Sequence, residues 1–147
     1  MSKMHVTFPG FADLAERIDR SGGDINAAVD EALTATQKLI QENLEKEAQP
    51  YAKDGKKGYA TGNMYRSIIR TASIDWSGSV AEVNVGFDLK KKGGWHSIFL
   101  VHGTPRREPN IQDKKLYDAI FGAKTKKDIE TIQRAILEKH LTIGGEK

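Results

Sequence analysis

Ser67-Ile68-Ile69-Arg70-Thr71-Ala72-Ser73-Ile74-Asp75-Trp76, then Ser77-Gly78, then Ala81-Glu82-Val83-Asn84-Val85-Gly86-Phe87-Asp88 is the stretch that decides the fold. In its first run Ile68, Ala72, Ile74 and Trp76 alternate with Ile69, Thr71, Ser73 and Asp75; in its second, Ala81, Val83, Val85 and Phe87 alternate with Glu82, Asn84, Gly86 and Asp88. Successive side chains of a strand point to opposite faces, so a period of two marks a strand with one face buried. Two such runs around a short Gly-containing turn predict an antiparallel hairpin over about residues 67–88.

Outward from the hairpin the period lengthens. Upstream, Ile25, Val29, Ala32, Leu33, Thr36, Ile40 and Leu44 recur at spacings of three and four, which predicts a long amphipathic helix over about 24–47. Asp24 is placed to cap it, since its carboxylate can accept from the free N–H groups of the first turn. A shorter helix before it is read from Phe11, Leu14, Ala15 and Ile18, ending at Ser21-Gly22-Gly23. Downstream, the apolar segment Trp95–Val101 is too short to assign as helix or strand, and Ile111, Leu116, Ala119 and Ile120 suggest a short helix closed by Gly122. Thr125 with Asp128 three residues on resembles a capping box, opening a last helix over about 125–142 with Ile129, Ile132, Ile136 and His140 on one face. Helices segregated from a hairpin predict an α+β fold, a small antiparallel sheet packed against the long N-terminal and the C-terminal helix. Residues 1–147 are read as one domain, with mobile loops at about 51–62, 89–94 and 104–110.

Composition removes several function classes. The chain has no cysteine, so disulfides, thiolate metal sites and cysteine catalysis are excluded. No run approaches the ~20 apolar residues that span a bilayer. Met1–Gly10 lacks a basic segment followed by an apolar one, so neither an export signal nor a membrane partner is expected. His5, His96, His102 and His140 are scattered without the i, i+4 spacing of a helical zinc pair, and Glu42, Glu45 and Glu47 share a helix with Lys38 and Lys46, as on a solvated face. No nucleophile elbow and no phosphate-binding glycine loop is present. The reading is of a protein with no catalytic residue, no metal and no cofactor.

Charge is distributed unevenly. Residues 1–50 carry 5 basic and 9 acidic side chains, whereas 51–127 carry 15 basic and 7 acidic, although the whole chain is only +3. The excess lies in Lys53, Lys56, Lys57, Lys90, Lys91, Lys92, Arg106 and Arg107, with Lys124, Lys126 and Lys127 beyond. Such clusters fit either nucleic acid or an acidic surface of a neighbouring protein. No RNA-binding aromatic signature or helix-turn-helix pattern accompanies them.

Two motifs flank the hairpin. Thr61-Gly62-Asn63-Met64-Tyr65-Arg66-Ser67-Ile68 precedes it, and Phe99-Leu100-Val101-His102-Gly103-Thr104-Pro105 follows it. This arrangement resembles the tail-completion and head–tail joining family of long-tailed bacteriophages, in which a T-G-x-L-x-x-S-I-like motif leads into paired strands and an apolar segment ends in an acidic or polar residue before Gly-Thr. Met64 stands in the usual leucine place, and His102 where glutamate is common. The resemblance implies a structural virion protein, made in the host cytoplasm and resident at the head–tail interface or in the tail. It also implies a homo-oligomer, a hexameric ring, with the head connector or stopper and the tail terminator or tail tube as partners and genomic DNA passing through the channel. Thr61, Gly62, Met64, Ser67, Ile68, Gly103 and Thr104 then hold the loops in position, and the loop lysines and arginines, with His102, meet neighbours or line the lumen. The alternative is a small basic nucleic-acid-binding module.

Overall fold

The computed structural model describes residues 2–6, 8, 10–52, 62–77, 80–91, 94–102 and 113–145. The hairpin lies at its centre. Strand β2 (Ile74–Ser77) pairs antiparallel with β3 (Val80–Val85), and β1 (Ser2–Met4) pairs along the other side of β3, giving the order β1-β3-β2. Ala81, Val83 and Val85 are buried while Val80, Glu82 and Asn84 turn outward, the alternation read from the sequence. The first run is shorter than that reading had it. Ile74 faces Val83, yet the next bridge is Ile68 with Phe87, so residues 69–73 of one strand stand against 84–86 of the other. Two extra residues make a bulge, which Gly86 accommodates at φ 101°, a value that L side chains rarely adopt. Arg70 braces the bulge by donating to the carbonyls of Tyr65, Arg66 and Ile68 at 3.1, 3.1 and 3.2 Å.

The long helix α2 (Ile25–Glu47) lies across the buried face of β3, and the preceding α1 (Phe11–Arg20) ends at Ser21. Asp24 caps α2 as its position suggested, accepting from the Ala27 N–H at 3.1 Å. Val29, Ala32, Leu33, Thr36, Ile40 and Leu44 are buried, and Leu33, Ile40 and Leu44 form one core with Ile68, Val83, Val85 and Leu116. A short helix α3 (Asn63–Arg66) precedes the bulge, and Trp95–Val101 belongs to a helix, α4 (Gly94–His102). Helix α5 (Lys114–Phe121) ends at Gly122, and α6 (Ala123–Gly145) returns antiparallel to α2 and packs against α1. The architecture is α+β, a small antiparallel sheet with a long N-terminal and a long C-terminal helix.

Several expectations need correction. Trp76 shares a face with Ala81 but sits at the end of the sheet and is 38% exposed, its indole N–H reaching Asp30 Oδ1 of α2 at 3.0 Å. Thr125 does not open the last helix: α6 starts at Ala123, and the buried Thr125 hydroxyl donates back to the Asp118 carbonyl at 2.7 Å. The buried stripe of α6 runs through Ile129, Gln133 and Leu137, while Ile132, Ile136 and His140 are half-buried. Tyr51, expected at the start of a mobile loop, lies in a 3-10 turn (Gln49–Tyr51), is buried, and donates its hydroxyl to Asp113 Oδ2 at 2.8 Å. The loop expected at 89–94 is shorter, because Gly94 already belongs to α4. The loop expected at 104–110 and most of 51–62 lie outside the described residues.

Gln133 fastens three elements. Fully buried, its amide donates to Thr36 Oγ1 of α2 at 2.9 Å and to the His5 carbonyl just past β1 at 3.1 Å. An amide has two N–H donors, and each reaches a different element, so register is set by direction as well as by apolar fit.

Candidate interaction surface

The motif segments meet at one end of the sheet. Gly62 adopts φ 84°, the left-handed conformation, and its carbonyl accepts from the Arg66 N–H at 3.0 Å to start α3. A Cβ at this φ is strained, which gives the glycine a physical reason. Ser67, Ile68 and Met64 are buried; the Ser67 hydroxyl donates to the Met64 carbonyl at 2.6 Å, and the Ser67 carbonyl accepts from the Asp88 N–H at 2.7 Å. Helix α3 packs against α4, the helix that ends at His102. Thr61, Gly103 and Thr104 lie outside the described residues.

His102 is exposed and lies among rings. Its centroid is 5.8 Å from Phe121 and 6.5 Å from Tyr117, and Tyr117 and Phe121 are 5.3 Å apart. Residues four apart share a helix face, so α5 presents Tyr117 and Phe121 together toward the end of α4. Phe121 is 39% exposed, a large apolar side chain left at the surface. The periodic positions singled out in α5 were the inward ones, so this outward pair escaped; its spacing of four, ahead of a closing glycine, was the available signal. Beside Phe121 a cleft of about 250 Å³ opens between β1 and the α5–α6 junction, floored by Met4, Ile120 and Ile129 and flanked by Lys3 and Lys126.

The basic residues are spread over the surface. Lys90 and Lys91 are exposed on a turn held by Asp88, whose carboxylate accepts from the Lys90 N–H at 2.9 Å. Lys53, Lys56, Lys57, Lys92, Arg106 and Arg107 lie outside the described residues. Lys114, Lys115, Lys124, Lys126 and Lys127 are exposed around the start of α5 and α6, where a wider cleft of about 550 Å³ includes Asn43, Asp118 and Asp128. At the far end of α2 the polarity is opposite: Asp30 and Asp75 accompany the exposed Trp76 and Val80 of the hairpin tip. The nearby Lys139 and His140 are engaged by Glu31, whose Oε2 lies 2.9 Å from Lys139 Nζ and 3.5 Å from His140 Nε2. The Lys139 hydrogen bond, aided by the positive charges of Lys139 and His140, holds the Glu31 carboxyl below its usual range against a smaller opposing effect of burial.

The histidines described do not converge. His5 approaches Glu82 at 3.7 Å, His140 approaches Glu31, and His102 lies edge-on to Tyr117 and tilted against Phe121. Among the described residues no group of three or more His, Asp or Glu is placed to hold a metal, and no helix is long and apolar enough to cross a membrane. No family model, curated protein or solved structure matches the chain.

Proposed function

We propose that this chain is a structural virion protein of a long-tailed bacteriophage or prophage, acting in head–tail joining or tail completion by assembling as a ring between connector and tail tube. The observation that carries the reading is the packing of α3 on α4: the two motif stretches that flank the hairpin in sequence belong to neighbouring helices braced by Gly62 and Ser67. A rigid frame of this kind fixes where the adjoining loops emerge, and loops set on a rigid scaffold are where proteins make contacts. Unlike surface charges at the two ends of α2, with exposed Phe121, Trp76 and Val80 beside them, suit contact with sister copies and with other virion parts. Function is argued from these surfaces, because a fold by itself does not imply a function.

The test is a phage or inducible prophage from which the coding sequence is deleted, with particles counted by electron microscopy. Filled heads and detached tails are expected, with joining restored by the protein supplied in trans. Particles with tails normally attached and full infectivity overturn the reading.

The exposed lysines around the α5–α6 junction favour a second reading, a basic nucleic-acid-binding module. It requires duplex affinity that falls steeply with salt, with a log–log slope of about −0.9 per phosphate neutralised. Changing Lys124, Lys126 and Lys127 together to Gln then lowers that slope by about three. An unchanged slope removes it.

A further inference from the structure

We infer that the outer edge of β2 is the docking site for an extended segment of a partner protein, one that sets a lysine or arginine opposite Asp75 and an apolar side chain on either side of it. This contact is independent of the virion role and specifies a partner by its chemistry.

The hydrogen-bond phase of the sheet leaves one edge open. The Asn84 N–H donates to the Ser73 carbonyl at 3.4 Å, and these two residues stand opposite each other in the register that pairs Ile74 with Val83. Bonded and non-bonded positions alternate along an antiparallel pair, so Asp75 and Ser77 turn their main-chain groups to β3 while Ile74 and Trp76 turn theirs outward. Carried across β3, the same alternation joins Val83 to Met4 and Val85 to Ser2, and it turns the groups of Lys3 and His5 to the outer edge of β1. The His5 carbonyl agrees, since it accepts from Gln133 of α6 at 3.1 Å. A helix thus partly closes that edge. On the other, the main-chain N–H and C=O groups of Ile74 and Trp76 have no strand beside them among the described residues. Lysine and proline, which commonly blunt such an edge, are absent from Ile74–Ser77.

The side chains of the sheet show which strand fits. Glu82 of β3 is met from the β1 side by Lys3 at 3.6 Å and His5 at 3.7 Å. Asp75, directly opposite Glu82 on the β2 side, is exposed and has no ion-pair partner among the described residues. Because its main chain is given to β3, Asp75 is a non-bonded position toward any strand added to β2. Opposing side chains come closest there, with Cα atoms ~4.5 Å apart. A cation at that place does for Asp75 what β1 does for Glu82. The residues before and after that cation bond Ile74 and Trp76 and point inward, over a Trp76 side chain that is 38% exposed. Apolar side chains gain most there by leaving water. A second copy fits poorly: the register that bonds Ile74 of one copy to Trp76 of the other sets Asp75 against Asp75. Strand addition of this kind draws affinity from the main chain and specificity from alternate side chains.

NMR of the isotope-labelled full-length protein tests the contact, beginning with the free state: the Ile74 and Trp76 main-chain amides should exchange with solvent much faster than those of Asp75 and Ser77. The probe is a short synthetic peptide alternating valine and lysine, compared with one alternating valine and glutamate. At millimolar concentration the first should shift the Ile74 and Trp76 amides saturably, slow their exchange severalfold and bind severalfold tighter than the second. Asp75→Lys, a change at an exposed side chain, should abolish that preference. Trp76→Pro removes one outward donor and should weaken binding severalfold, whereas Trp76→Phe, which keeps the donor, should not. Unshifted amides of the buried Val83 and Val85 verify that each variant is folded. Should Trp76→Pro fail to fold, the Asp75→Lys comparison decides alone. Four results overturn the inference: Ile74 and Trp76 amides protected in the free protein, no saturable shift at them, shifts centred on β1, or a peptide preference that is absent or survives Asp75→Lys. Protection that grows with protein concentration alone also overturns it, by assigning the edge to a second copy.

Discussion

Gln133 and Glu31 both join α2 to α6, one at the middle of the helix pair and the other near its end. Gln133 is wholly buried and neutral, and its donors are spent on Thr36 and on the His5 carbonyl. Glu31 is charged and shared between Lys139 and His140, with side chains 43%, 56% and 20% exposed. A hydrogen bond kept from water is directional and costly to break, because the abandoned partner has no solvent to turn to. An ion pair at the surface gains little, since water and salt serve the separated charges almost as well. The distances at the two places are similar; burial makes the difference. The middle of the α2–α6 pairing therefore fixes the fold, and its end adjusts it.

Truncating the apolar core beside the buried amide gives the largest expected effect. Leu33→Ala, at a fully buried position of α2, should cost ~2–5 kcal/mol in urea unfolding, the range for buried leucines whose surroundings only partly collapse. A cost under ~1 kcal/mol would mean that α2 is not held by its core. Gln133→Leu comes next. It keeps apolar volume but strips the His5 carbonyl and Thr36 of their donor, and ~1–3 kcal/mol is expected. A neutral result would show that the middle contact works by shape alone and would erase the contrast with Glu31. Thr36→Val sharpens it. The hydroxyl already donates to the Ala32 carbonyl at 2.9 Å, so its loss strands one amide donor of Gln133, at a cost of ~1 kcal/mol. Combined with Gln133→Leu, the two losses should add to less than their sum, since they share one bond.

Periodicity exposed the apolar half of this comparison and concealed the polar half. The α2 stripe from Val29 to Leu44, the Asp24 cap and the buried run Ala81, Val83, Val85 were legible, because each is a local pattern with a local cause. Gln133 was not, because an amide counts as polar until a distant Thr36 and His5 turn inward to meet it. Thr125 misled for the same reason: Thr-x-x-Asp fits a capping box, but the hydroxyl is claimed by Asp118 of the preceding helix. Strand β1 has three residues, too few for alternation to register, and exists through its pairing with β3. Trp76 shows the limit of a period of two, which tells the face of a sheet but not whether a helix reaches far enough to cover it. At the candidate surface, lysines were legible as composition. Phe121 became visible only when α5, α4 and β1 were brought to one place.

The smallest expected effect, at Glu31, is the most informative about the end contact. The carboxyl is held below its ordinary value of 4.5 chiefly by the hydrogen bond from Lys139, so the folded state favours the ionised form more than the unfolded chain does. Such a group contributes stability that is present above the unfolded value and is lost as pH falls through the lower folded one. Because the pair is half exposed, Glu31→Gln should cost less than ~1 kcal/mol near neutral pH. That gap should narrow in ~1 M salt, where the screening length is about 3 Å, and should close as pH is taken below the carboxylate range. Urea titrations of both proteins at neutral and acid pH, with and without salt, measure it. A gap that ignores both pH and salt would mean that Glu31 acts on α6 by packing, and the two contacts would then be of one kind.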